Sequence, residues 1–479
     1  MPIALEPGSS AFAVERNPAL RLLIPLTVAI GFAMEQLDIT IITTAIPAMS
    51  RTLKTTPLHM SLAVTTYVVV LAVFIPVSGW FADRFSARRV FVTALLTFTA
   101  GSVLCGLATS LPMLVASRAL QGLGGAMMTP VGRLILLRSF PRQQLVTAMT
   151  YMTLPAIVGP VVGPLLGGAL TTYASWRWAF FINVPFGLGG AILALRFVEK
   201  GPSPDRLAHP RFDVLGFVLV GAGVATLQFV FEAVGRGALG PFLLAPLVVA
   251  ALGLLGGFFL HARRIAAPAV DLTLFRDRAF RVGALAGGLC RVGLNGSPFL
   301  LPLMLQVGFG VSPVTSGLLT FVSAFGALAV RPVLSPLLRG LGFGVLLIVS
   351  AIAGTAATAG FALLGPATPP VLIAAYVLLF GLIRSVQFMG SNTLSYADLP
   401  PEKLSAATSL GGMLQQLSVS FGVSLAAALL GAFAGPRHIL SVEHFHAAFL
   451  ALSLVPLLAL PGFLALRPQD GAVVSGRRT

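Results

Sequence analysis

Glu35 and Asp38 stand three residues apart in one long apolar stretch, and Arg118 stands in another. Three residues is close to one helical turn, so both carboxylates point toward a similar helix face. Two carboxyl groups near each other in a low-dielectric medium rarely ionise together, which suits a site that takes up and releases a proton. A buried arginine is costly in hydrocarbon, so Arg118 needs a partner or a water-filled cavity. One reading is an arginine that tunes a carboxylate during proton transfer. The other is structural, with Arg118 permanently paired and Asp38 hydrogen-bonded to a neighbouring helix. Gln121 follows Arg118 by three residues on the same face.

The later half of the chain has its own polar set: Arg291 with Asn295, Arg384 with Gln387 and Ser391, and Gln415 with Gln416. No Asp or Glu lies in the middle of these apolar stretches, so the two arginines lack an acidic partner in their own half. Arg384 lies about ten residues from one end, within reach of the interface by snorkelling. Gln121, Arg291, Asn295, Arg384, Gln387 and Gln415 are candidates to line a substrate cavity. His438, His444 and His446 cluster with Glu443, but their loose spacing without a cysteine reads as a solvated loop. No metal site and no cofactor are expected.

The elements that position these groups must be membrane helices. Hydrophobic residues make up 56% of the chain and charged residues 10%, against roughly 25% in a soluble domain. Mean hydropathy is +0.94. Such a chain cannot cover itself in water, so a lipid bilayer is its solvent. The net charge of +16 does not indicate nucleic acid, because the basic residues are scattered singly between apolar spans. Cys105 and Cys290 both lie inside such spans and imply no disulfide framework. The N-terminal segment shows no cleavage pattern, so the first span is expected to be retained. No phosphate-binding G-x-x-x-x-G-K-[ST] loop occurs, and no polar segment is long enough for a soluble catalytic domain, so an enzyme is not expected. Energy for pumping would come from an ion gradient or another subunit.

Apolar runs of about 20 residues predict fourteen spans, near 21–46, 58–80, 90–109, 112–136, 146–170, 179–197, 212–232, 241–260, 281–305, 313–335, 342–364, 371–393, 405–431 and 446–466. An even number places both termini on one side. One set of loops carries most of the Arg and Lys, including Arg84, Arg88, Arg89, Arg138, Arg142, Arg263, Arg264, Arg276, Arg278 and Lys403. The opposite set carries only Arg51, Lys54, Arg177, Arg236 and Arg437. The positive-inside rule therefore puts both termini in the cytoplasm of a cytoplasmic (inner) membrane protein.

Within the fifth span, Gly159-Pro160, Gly163-Pro164 and Gly167-Gly168 recur at intervals of four. This leaves one helix face nearly bare and removes backbone donors, which a packed membrane helix tolerates. The run resembles the antiporter signature of the major facilitator superfamily. Gly79 to Arg89 resembles that superfamily's G-x-L-A-D-R-x-G-R-R loop, departing from it at Phe81 and Ser86. By that resemblance Asp83, with Arg84, Arg88 and Arg89, forms a charge-paired cytoplasmic gate. Arg118-Ala119-Leu120-Gln121-Gly122 resembles the superfamily's R-x-x-Q-G motif. Leu37-Asp38-Ile39-Thr40-Ile41 is similar to the L-D-x-T-I-V-N signature of fourteen-span drug:proton antiporters, with Thr43 in place of its Asn. Trp176 to Gly187 looks like the W-R-W-x-F-x-I-N-x-P-x-G segment common in those proteins.

The resemblance, to the EmrB/QacA-type branch, implies an all-α polytopic protein of the major facilitator fold. Residues 1–200 would form one six-helix bundle and 271–479 the other, with a short cytoplasmic tail. Residues 201–270 would be two inserted helices. It implies export of small organic compounds against protons by alternating access, coupled through Asp38 with Arg118 and Glu35. The mixed or positive cavity keeps a second reading open, an exporter of anionic metabolites such as organic acids or metal chelates. A non-transporting membrane sensor or scaffold is a third. The partners expected are the small-molecule substrate, protons and the bilayer; recruitment of a periplasmic adaptor is left open.

Overall fold

A computed structural model describes residues 19–140, 159, 162–199, 212–235, 239–265, 268–400, 403–435 and 440–472. The described residues are helical with short connections. Helix α1 is Leu20–Thr52. Helix α2 is Ser61–Phe74, continued through a 3₁₀ turn at Ile75–Val77 into Ser78–Phe85. Then come α3 (Ala87–Gly106), α4 (Leu111–Ser139), α5 (162–173) and α6 (Trp178–Phe197). Helices α7 (Val214–Gly235) and α8 (Pro241–Ala262) follow. Helix α9 runs from Arg278 to Gly308 through two π-helical turns, Val282–Ala286 and Met304–Gly308. The remainder are α10 and α11 within Pro313–Ala359, α12 (Pro370–Ala397), α13 (Leu404–Ala434) and α14 (Val442–Ser453, continued to Leu464).

Among the described residues, eleven helices are long and apolar enough to cross a membrane. Three further runs, α4, α5 and α9, fall where the sequence predicts spans. Helix α4 is less apolar because it carries Arg118, Arg133 and Arg138. Helix α5 is described only in part, and α9 is interrupted by its π turns. Helices α10 and α11 are joined without a loop, and Gly342, at φ 74°, makes the turn between them. Only glycine takes that conformation without strain.

Burial follows a bilayer rather than water. Helix α8 exposes Phe242, Leu243, Val249 and Leu252, and only 11% of its apolar window is buried. Such a face is stable only against lipid. One apolar core draws on α1 to α4 and α6, centred on Phe91, Leu95 and Phe98. A second is built mainly from α9 to α12 and α14, with contributions from the ends of α1 and α2 beside the 53–60 turn. A third joins α7 and α8 to α2, α9 and α13.

Helix α5 packs against α1 along its glycine face. A Cβ at Gly159 would lie 2.7 Å from Gln36 Cβ, one at Gly163 would collide with Thr40 Oγ1, and one at Gly167 would collide with the Ile41 carbonyl. Close approach without side chains is what the four-residue repeat provides. Thr40 Oγ1 donates to Gly159 O at 3.1 Å and Thr44 Oγ1 to Pro164 O at 3.4 Å. Gly168 faces the other way, against Pro313 of α10, where Gly317 meets Pro164. Gln306 Nε2 donates to Thr44 O at 3.0 Å. These contacts close the gap between early and late helices at the end that carries the 53–60 turn. Pro160 lies outside the described residues.

Candidate functional site

The polar centre of the early helices is built from five side chains on four of them. Asp38 projects from the middle of α1, and Arg118 and Gln121 from successive turns of α4. Ser102 comes from α3 and Asn183 from α6. All five are buried to within a few per cent. Arg118 Nη1 donates to Asp38 Oδ2 at 2.5 Å and to Gln121 Oε1 at 2.6 Å, and its Nε donates to Ala63 O at 2.8 Å. Gln121 Nε2 donates to Asp38 Oδ1 at 2.7 Å and to Ser102 Oγ at 2.6 Å. Asn183 Nδ2 completes the ring, 3.1 Å from Ser102 Oγ and 3.4 Å from Asp38 Oδ1. The Arg118 guanidinium stacks on Tyr67, 4.2 Å from the ring centroid.

A carboxylate held this way has its charge and lone pairs answered at once, which is the condition for keeping an ion pair in a low-dielectric interior. Protonating Asp38 would remove its attraction for Arg118 and free the guanidinium to reorient.

Glu35 is close by but separately held. It is buried one turn below Asp38 and accepts a 2.6 Å hydrogen bond from Thr129 Oγ1 of α4. Both carboxylates thus face α4 at different heights, and Glu35 makes no hydrogen bond with Arg118 among the described residues. Gln121 belongs geometrically to the Asp38 network. Ser102, Thr129 and Asn183 were not singled out from sequence. Asn183 sits in the W-R-W-x-F-x-I-N segment, so its motif was the available signal; Ser102 carried none.

The loop after α2 is seen in part. The Asp83 side chain lies outside the described residues. Arg84 and Arg89 are exposed, and Arg88 Nη1 donates to Val198 O at 3.2 Å, tying the loop to the end of α6. Ser86 stands at φ 73°, ψ 139°, a conformation that favours glycine, at the position where the resembling motif has glycine.

In the later helices, Arg291 of α9 is buried, with Nη1 donating to Ser391 Oγ at 3.3 Å and Nε finding no protein partner. Phe388 lies 5.9 Å from its guanidinium. Gln387 is fully buried, accepts from Ser350 Oγ at 2.5 Å, and leaves Nε2 unpartnered. Helix α9 approaches α12 closely here, since a Cβ at Gly287 would lie 2.6 Å from Ser391 Cβ. The structure thus brings Arg291 near the Gln387–Ser391 turn. Arg384, Asn295 and Gln415 are half-buried and make no hydrogen bond with any described residue. His444 accepts from the Ser441 amide at its helix start and His446 reaches Leu364 O; His438 lies outside the described residues.

Comparison with known proteins places this geometry. Residues 28–423 match the family model described as Major Facilitator Superfamily. A protein of Klebsiella pneumoniae named multidrug resistance protein MdtD is 39% identical over 445 residues, covering 92% of this chain and 94% of that one. One of the same name from Pectobacterium atrosepticum is 40% identical over 448 residues, covering 92% and 95%. Among solved structures, a bacterial homologue of the human lysosomal transporter Spinster, inward-facing and unoccupied, matches with a TM-score of 0.62 at 16% identity, over 96% of this chain and 99% of that one. A POT family transporter in complex with 5-aminolevulinic acid matches with a TM-score of 0.65 at 14% identity, over 93% and 96%. At those identities the two structures speak to fold alone. The chain belongs to the major facilitator superfamily and is a multi-pass membrane transporter.

Proposed function

We propose that the protein exports small organic, drug-like compounds by proton-coupled antiport, with Asp38 as the group that binds the coupling proton. The observation that carries this reading is the fully buried Asp38–Arg118 pair, 2.5 Å apart, enclosed by Gln121, Ser102 and Asn183. A buried pair of this kind gains little stability over a well-packed apolar pair, and intramembrane ionisable groups mark ion pathways. The multidrug-resistance names of the relatives support the drug-like substrate class. In this reading residues 1–200 and 271–479 are two six-helix halves that rock around a central site, 201–270 is the inserted pair, and both termini face the cytoplasm. Proteoliposomes with an imposed pH gradient test it. Wild type should concentrate substrate on the side set by the gradient, and Asp38→Asn should abolish this while still inserting and purifying normally. Uptake by Asp38→Asn at the wild-type rate would refute the assignment.

A second reading, an anionic substrate, is favoured by Arg291, whose buried Nε has no protein partner in a half without a central acid. A carboxylate could complete its fork. Binding of matched cationic and anionic ligands to wild type and Arg291→Ala decides between them. Tight cation binding unaffected by the substitution returns the site to cationic drugs.

A further inference from the structure

The beginning of α9 and the end of α14 enclose a cavity of about 410 Å³. That volume falls in the range of about 300–1,000 Å³ usual for small-molecule sites. Arg278 and Arg281, three residues apart at the start of α9, line one part of it. Leu285 and Ala286 continue this wall on the π-helical turn, and Gly462 and Ala465 supply the wall from the end of α14. The two helices touch at Gly462, where a Cβ would lie 2.6 Å from Ala286 Cβ. Arg281, Leu285 and Ala465 are exposed and Arg278 is half-buried, so the cavity opens outward from the helix pair. Two guanidinium groups stand at one rim, and the rest of the lining is apolar.

We propose that this cavity binds the headgroup of an anionic glycerophospholipid. Among the described residues neither arginine forms an ion pair. Arg281 Nη1 donates to Phe275 O at 3.1 Å, and the Arg278 side chain makes no hydrogen bond with a described residue. The acids closest in sequence are turned to backbone amides. Asp277 Oδ1 accepts from the Phe280 amide at 2.7 Å, and Asp470 Oδ2, beyond α14, from the Arg467 amide at 2.8 Å. The rim is therefore positive and has unused donors. Two adjacent guanidinium forks can share the oxygens of one phosphate in charge-assisted hydrogen bonds.

The apolar part of the lining favours a lipid over a soluble anion. A hydrated phosphate ester gains nothing from Leu285 or Ala286, whereas an acyl chain joined to the phosphate can lie against the exposed Leu285 and Leu464. The placement agrees. Both arginines precede the apolar run that starts at Val282, and Ala465 directly follows the last turn of α14. The rim thus stands at the membrane–water boundary, where basic pockets between membrane helices take anionic headgroups. The π-helical turn in the wall is also of a kind found mostly at functional sites. A lipid held here would tie the start of α9 to the end of α14. The inference needs a multi-pass membrane protein but no particular substrate, coupling ion or direction of transport.

The test is native mass spectrometry of the full chain in detergent, titrated with phosphatidylglycerol or with phosphatidylcholine of identical acyl chains. One phosphatidylglycerol should be held about tenfold more tightly than phosphatidylcholine, the effect expected of a hydrogen bond to a charged group. Arg278→Gln combined with Arg281→Gln should abolish that preference. Arg196→Gln combined with Arg263→Gln removes the same charge from exposed arginines at helix ends outside the cavity, and should preserve it. Ala465→Trp keeps both cavity arginines but fills the space between the helices, and should also lose the tightly held lipid. Glycerol phosphate, which carries the phosphate without acyl chains, should not displace the lipid. Equal retention of the two lipids by the wild-type protein overturns the proposal. So does an undiminished preference in Ala465→Trp or in the cavity arginine variant, or an equal loss in the variant altered outside the cavity. Displacement by an equal concentration of glycerol phosphate would assign the site to soluble phosphate esters and overturn the lipid assignment. If the cavity arginine variant does not purify, Ala465→Trp decides alone.

Discussion

Gln121 Nε2 lies 2.7 Å from Asp38 Oδ1, so the carboxylate that pairs with Arg118 is held on its second oxygen by an amide from the same helix. The two α4 residues grip Asp38 as one unit, and the energetics should show it. Arg118→Leu or Asp38→Leu alone leaves a buried charge uncompensated and should cost about 3–5 kcal/mol. The double substitution should cost clearly less than the sum. Thermal unfolding of detergent-solubilised variants measures this cycle; strict additivity would mean the pair is not coupled.

The glycine face of α5 makes a graded prediction. At Gly167 the obstacle to a Cβ is the backbone carbonyl of Ile41, which cannot rotate away. At Gly159 it is the Gln36 side chain and adjoining backbone at 2.7–2.9 Å, whereas at Gly189 of α6 nothing lies within 4 Å. Gly167→Ala should destabilise by about 1–3 kcal/mol, the usual cost of overpacking, with Gly189→Ala near neutral. Transport by Gly167→Ala should fall with it. Equal melting temperatures for the two variants would disprove the close α1–α5 contact.

Much of this was readable in the sequence because bilayer helices leave coarse signatures. The apolar runs predicted the described helices, and Asp38 and Arg118 were visible as charges where charge is expensive. Ser102 was not, because a serine in a membrane helix has no signature until the fold brings another polar group within reach, and Asn183 was marked only by the motif it sits in. Glu232 of α7, whose buried carboxylate accepts from Ser61, Thr65 and Ser424, was missed for a related reason. It lies near the predicted end of its span at 232, where a carboxylate reads as an interfacial residue, and only packing against α2 and α13 buries it. The joining of α10 to α11 at Gly342 was equally hidden, since the sequence predicts a break at 336–341 without indicating a turn made by a single residue.

Ser86 offers a stabilising substitution. Its φ of 73° with ψ of 139° lies where a Cβ is strained, at a cost of order 1–3 kcal/mol. Its side chain does not cap α3. Ser86→Gly should therefore raise stability by about 1 kcal/mol despite glycine's greater freedom in the unfolded chain. Ser86→Val should lower it. The readout is again the thermal midpoint; a lower midpoint for Ser86→Gly would show that the serine hydroxyl outweighs the strain.

Asp213 gives a prediction in pH. It stands just ahead of α7, outside the spanning segment, where its carboxylate accepts from the Gly216 amide at 2.8 Å and the Ala269 amide at 3.1 Å. His261 Nε2, at the end of α8, is 2.7 Å away. Burial alone would push its pKa up, but the His261 hydrogen bond and the two amides outweigh it and hold the carboxyl below the ordinary aspartate value of 3.8. A depressed folded value means that the stabilisation is complete above the unfolded value and is lost as pH falls through the folded one. Asp213→Asn keeps a capping side chain but loses the charge, and should cost about 1 kcal/mol at neutral pH. The difference between wild type and Asp213→Asn should shrink as pH falls below about 4 and the wild-type carboxylate protonates. Denaturant titrations of the two proteins across that range would check it. A gap that widens below about pH 4 would mean that Asp213 is better held in its protonated form, contrary to the three donors around it.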